Sequence, residues 1–112
     1  MALNTFKTKT AVLTTSDAEV YIAPTGYTSI VIMAQVSNVA GAAVSVTVSH
    51  RSGSGAGATD TELVKSFSIP VNDSASVITG KLVLEADQSV RAFASANSSA
   101  KIILSILETL NG

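Results

Sequence analysis

Cysteine and tryptophan are missing from this 112-residue chain, and histidine occurs once. Without cysteine there is no disulfide framework, no iron–sulfur ligation, no thiol nucleophile and no cysteine zinc site. The lone His50 has no second imidazole with which to build a histidine metal site. Charge is sparse as well. Only 13% of residues are charged, against about a quarter in ordinary globular chains. Seven basic residues stand against eight acidic ones, for a net charge of -1. Such a balance is not built to neutralise a phosphate backbone, so no nucleic-acid partner is expected. No apolar run approaches the roughly 18 residues of a membrane-spanning helix, and no membrane partner is expected. Met1 to Lys7 lacks the basic start and long apolar stretch of a secretion signal. That leads us to expect synthesis in a cytoplasm and release by a route that needs no signal, such as lysis of a host cell.

Small and β-branched residues fill the space. Ser, Thr, Ala and Val number 16, 12, 16 and 13. They alternate with period two, and helical periodicity is almost absent. The clearest run is Val44-Ser45-Val46-Thr47-Val48-Ser49-His50, with valines on one side and hydroxyls on the other, a half-buried strand with one wet face. The same test predicts strands over 6–14, 19–23, 29–39, 63–69, 74–84 (one long or two short, broken near Gly80), 90–96 and 101–107. Turn residues separate them at Pro24-Thr25-Gly26, Pro70-Asn72-Asp73, Ala86-Gln88 and Asn97-Ser99. Val39-Ala40-Gly41-Ala42 reads as a tight hairpin connection into the valine strand. The last segment, from Ile102 to Leu110, fits a buried helix by periodicity, but its β-branched content favours a strand. About eight short strands joined by tight turns make an all-β fold, an antiparallel β-sandwich of jelly-roll or Ig-like order. We expect one domain over 1–112, with a short N-terminal arm over 1–9 and a flexible Ser/Gly/Ala loop over 52–58.

Convergent chemistry is hard to find. His50 continues the Val44-Val46-Val48 face at a strand end and reads as a rim residue. No Gly-x-Ser-x-Gly elbow accompanies any of the serines. The loop Gly53-Ser54-Gly55-Ala56-Gly57 lacks the Gly-Lys-Ser/Thr and following helix of a phosphate loop. The carboxylates are dispersed, and no calcium-loop pattern holds them. No enzyme activity, catalytic residue, metal or cofactor is therefore expected. Surface remains. Phe6 lies on the N-terminal arm. Val31, Met33, Phe93, Ile103 and Leu107 fall on strand faces opposite the better core stripes. These six are the candidate subunit interface, since apolar residues on both faces of a strand call for a partner or a closed barrel.

The segment Pro70 to Ala96 contains a Pro-x-x-x-Ser turn (Pro70 to Ser74), a Lys-Leu-Val-Leu-Glu corner (Lys81 to Glu85) and a Ser-Val-Arg-Ala-x-Ala-Ser strand (Ser89 to Ser95). With Val20-Tyr21-Ile22-Ala23-Pro24, Ser29-Ile30-Val31-Ile32 and Ile103 to Glu108, it resembles small β-sandwich structural proteins of tailed bacteriophages, of the marine and cyanobacterial phage type. The corner departs from that pattern in having Ala86 where a glycine is usual. The resemblance implies a non-enzymatic virion protein: a capsid decoration or cement protein, a neck or collar protein, or a tail component. It would be a homo-oligomer, with other virion proteins as partners. Two other readings stand beside it. One is a tail-associated module that binds host-surface carbohydrate, for which Tyr21 and Tyr27 are the available stacking residues. The other is a small hydrolase or lyase on a jelly-roll scaffold, for which one histidine is a poor start.

Overall fold

The structure, a computed structural model, describes residues 4–78 and 80–111. Nine strands follow one another: β1 (Asn4–Val12), β2 (Ala18–Ile22), β3 (Tyr27–Asn38), β4 (Val44–Arg51), β5 (Asp60–Ile69), β6 (Ser74–Ser76), β7 (Leu82–Leu84), β8 (Ser89–Ala94) and β9 (Ala100–Leu110). The alternating Val/Ile/Ser/Thr pattern locates each of them. The final segment is strand β9, as its β-branched residues favoured, and its alternation buries Ile102, Leu104 and Ile106.

Two antiparallel sheets face each other. The first runs β1-β9-β3-β6, with β7 also paired to β3; the second runs β2-β8-β4-β5. β6 pairs with the end of β3 around Val36, and β7 with its beginning around Ile30. They are thus two halves of one strand, interrupted near Gly80, which has φ +79. Counting them as one gives eight strands whose order is the double Greek key of a jelly roll, which settles the jelly-roll or Ig-like alternative.

The core between the sheets is aliphatic and small. Val31, Ala34, Val36, Val46, Val48, Leu84, Val90, Leu104 and Ala100 are sealed from solvent. Short side chains let the sheets close without aromatic filling.

The predicted turns carry their backbone strain where turn chemistry puts it. Asn72 and Asp87 adopt positive φ, as Asn and Asp do at low cost, and Ser98 does so in the Asn97-Ser99 turn. Gly26 (φ +86) completes the turn in which Tyr27 N–H donates to the Pro24 carbonyl at 3.0 Å. Glycine at that third position is what a type II turn requires.

Three expectations need correction or refinement. Val39 to Ala42 is not a hairpin, because β3 and β4 belong to different sheets; it is a corner at which the chain crosses the sandwich. The hairpin lies one connection later, where β4 and β5 pair around the 52–58 loop. Of the arm expected over 1–9, Asn4 to Lys9 is laid down as strand β1, paired with β9; residues 1–3 lie outside the described residues. That loop is closed at its neck by Ser52 N–H donating to the Thr59 carbonyl at 2.9 Å.

Candidate subunit interface

The two outer faces of the sandwich differ in chemistry. On the outer face of the β2-β8-β4-β5 sheet the register places Glu19, Arg91, Ser49 and Glu62 in one row, with Arg51 opposite Asp60 beside it. Both arginines are paired. Arg51 grips Asp60 with two bonds of 2.7 and 2.9 Å, and Arg91 donates to Asp17 at 2.8 Å. The Arg51 guanidinium holds the Asp60 carboxyl below the usual carboxylate range. A surface so arranged is well solvated and costly to strip of water.

The outer face of the β1-β9-β3-β6/β7 sheet is almost free of charge. Pairing registers divide it into rows. The first is apolar from edge to edge: Phe6, Leu107, Ile30 and Val83 stand side by side on β1, β9, β3 and β7. Phe6 is 75% exposed and Val83 54%. The second row is Thr8, Ser105 and Met33; the third is Thr10, Ile103, Gln35 and Ser76; the fourth is Val12, Lys101, Ser37 and Ser74. Lys101 is the one charged residue in these rows. A depression of about 470 Å³ opens among Thr10, Val12, Ser37, Lys101 and Ile103.

Four of the six residues expected at an interface therefore come together here: Phe6, Met33, Ile103 and Leu107. Phe93 lies on the opposite, charged face, half-buried and paired with Thr47. Val31 does not belong to any surface: it is 0% exposed, in the core. The reason is a β-bulge. The pairing of β3 with β9 shifts between Val31 and Met33, leaving Ile32 without a partner. Before the bulge Ser29 and Val31 point inward; after it Ala34, Val36 and Asn38 do. One extra residue exchanges the parity of the strand. Ile30, Val12 and Val83 were missed as members of this face. For Ile30 the signal was present in the unbroken apolar run Ile30 to Ala34, but alternation alone cannot locate the bulge that decides its side.

A cleft of about 470 Å³ lies along the open edge between β1 and β2, lined by Lys7, Lys9, Tyr21, Ile106 and Glu108 among others. Three of its titratable groups, Lys7, Tyr21 and Glu108, engage one another. Glu108 is buried on the core side of β9. One carboxylate oxygen faces Lys7 Nζ at 3.2 Å, and the other accepts the Tyr21 hydroxyl. The Tyr21 oxygen is in turn 2.8 Å from Ser29 Oγ. Burial, with the adjoining carboxylate, raises Tyr21 well above the ordinary tyrosine value. This cluster pins β1 to the sandwich. It also removes Tyr21 as a stacking platform for a sugar, while Tyr27 is half-buried. His50 sits at the rim with Nε2 3.1 Å from Gln88 Oε1. Among the described residues no three of His, Asp and Glu gather to hold a metal.

No protein-family model matches the chain, and no curated protein does. Solved structures do. A chain of the acid-stable capsid of Helicobacter pylori bacteriophage KHP30 is similar, with a TM-score of 0.58 and 11% identity, over 99% of this chain and 90% of that one. A chain of the Bacillus endospore appendages, a family of disulfide-linked pili, is similar with a TM-score of 0.53 and 13% identity, over 97% of this chain and 88% of that one. At these identities the likeness establishes a shared all-β sandwich fold across nearly the whole chain.

Proposed function

We propose that the protein is a non-enzymatic structural subunit of a bacteriophage virion, a capsid decoration or a neck or tail assembly component, acting by subunit packing alone. One observation carries this reading: the apolar row Phe6-Leu107-Ile30-Val83 crosses the whole of a sheet face whose rows carry one charge, Lys101, while the opposite face carries the ion pairs of Arg51 and Arg91. A subunit with two free faces gains nothing from such asymmetry; a subunit seated on a neighbour does. The fold likeness to a phage capsid chain and to a pilus chain supports the same reading, since both come from polymeric assemblies. The present chain has no cysteine, so it cannot be disulfide-linked as those pili are. Non-covalent packing, multiplied over many copies, is the mechanism open to it. Mass spectrometry of purified particles tests the role. The chain is expected there in fixed stoichiometry with the other structural proteins, and its absence from particles removes the reading.

A further inference from the structure

We propose that the uncharged face of the β1-β9-β3-β6/β7 sheet is the interface of a two-fold dimer of this chain; this rests on the packing role above and names its partner. The face is self-complementary about its second row. Thr8 and Ser105 give the second row short side chains on β1 and β9. On one side of it stands the row with Phe6, which is 75% exposed, and Leu107; on the other lies the row with Thr10 and Ile103, next to the depression of about 470 Å³. A two-fold axis lying in the plane of the contact, along Thr8-Ser105-Met33, lays each Phe6 row on the partner's Thr10 row. Phe6 of one copy then meets Thr10 of the other at the mouth of the depression, Leu107 meets Ile103, and Ile30 meets Gln35. An isologous contact demands this reciprocity, in which residue i meets j and j meets i.

Charge and area agree with that occupant. Lys101 lies two rows from the axis, so the two copies' lysines end roughly 27 Å apart, well beyond a Debye length, given rows spaced about 6.7 Å apart. Each faces Thr109 of the other copy, one row beyond Leu107 on β9. With the further row of Asn4, Thr109 and Thr28, the face measures four strands by about five rows, or about 600 Å² per copy at ordinary sheet spacings, so about 1,200 Å² is buried in total. That is the lower end of what a specific dimer needs, and the association is accordingly expected in the micromolar range. The other sheet's outer face does not fit, because Arg51, Arg91, Glu19 and Glu62 would have to be desolvated there.

Sedimentation velocity on the isolated chain from micromolar to millimolar concentration is the test. We expect a monomer–dimer equilibrium that Phe6→Glu and Ile103→Glu each weaken at least about tenfold, while Val71→Glu, exposed on the β5–β6 turn, leaves it unchanged. Phe6 and Ile103 are surface residues, and a thermal melt of each variant verifies that the fold survives. The cysteine-free chain offers a second readout. Ser105→Cys sits on the axis and is expected to join to its own copy through a short bismaleimide, whereas Ser68→Cys on β5 is not. A chain that stays monomeric to millimolar concentration, a dimer indifferent to both glutamates, or Ser105→Cys joining only a different virion protein in particles would each overturn the dimer. These outcomes are distinct from failure of the packing role: a monomeric chain still present in particles loses only the dimer, and a chain absent from particles loses the role.

Discussion

Glu108 shows how one residue can tie an edge strand to a core. It continues the inward stripe of Ile102, Leu104 and Ile106 on β9, where an isolated carboxylate would cost several kcal/mol. Lys7 on β1 and the Tyr21 hydroxyl on β2 supply the cation and the donor that make the position tolerable. With its own proton committed to Glu108, Tyr21 accepts from Ser29. The consequence is a proton held tightly on Tyr21. In the unfolded chain tyrosine titrates near pH 10; in the folded protein it does so well above that value, first because it is buried and then because of Glu108. Between those two values the folded form binds more protons than the unfolded, so its stability, fully present below about pH 10, falls as pH rises, by up to about 1.4 kcal/mol per pH unit. Tyr21→Phe is expected to cost about 2 kcal/mol near neutrality, by stripping the carboxylate of its hydroxyl donor. It should also abolish this component of the alkaline loss. Urea unfolding of both proteins at pH 7, 10 and 11 measures the two effects together. None of this cluster was legible in the chain: Lys7, Tyr21, Ser29 and Glu108 are far apart in sequence, and only the order of the strands makes them neighbours.

Elements were far more legible than their connections. Period-two alternation located every strand, and Asn, Asp and Gly located the turns, because both signals are local. What alternation cannot see is a change of parity or a change of sheet. The bulge at Ile32 moved Val31 from the expected interface into the core, and the corner at 39–42 carried β4 to the other sheet. Asn38 marks that corner. It occupies an inward position at the end of β3, where its amide donates to the carbonyls of Ala42 and Ile69 at 2.8 and 3.0 Å, while its side-chain oxygen accepts from Ala40 N–H at 2.8 Å. One side chain thus satisfies backbone groups that a corner withdraws from both sheets. Asn38→Ala leaves those groups without partners and is expected to destabilise the fold by about 2–3 kcal/mol. Asn38→Asp should do at least as much harm, since it turns carboxylate oxygens toward carbonyl oxygens. Denaturant midpoints at constant slope are the measurement.

At the scale of the whole molecule, the division into a charged face and an uncharged one could not be read from the chain, although the residues that compose it could. Phe93 and Leu107 look alike in sequence, each apolar on the outward side of a strand. The sheet order assigns them to opposite sides of the sandwich, Phe93 among Arg91, Thr47 and Ser49, Leu107 between Phe6 and Ile30. That division sets how the subunit should sit in an assembly, with the β2-β8-β4-β5 face toward water and the other toward a neighbour. Two lysines report on it. Lys101 lies on the uncharged face and Lys65 on edge strand β5 of the charged sheet; both are exposed in the single chain. In the dissociated chain at low concentration they should react with an acetylating reagent at similar rates. In intact particles Lys65 should still react while Lys101 is protected, because the stem of Lys101 lies in the row next to Ile103 and is covered together with it. Peptide mass spectrometry of particles labelled before and after disruption reads both sites. Equal labelling of the two lysines in intact particles would show that the uncharged face remains open to water after assembly, and the asymmetry of the sandwich would then have no part in packing.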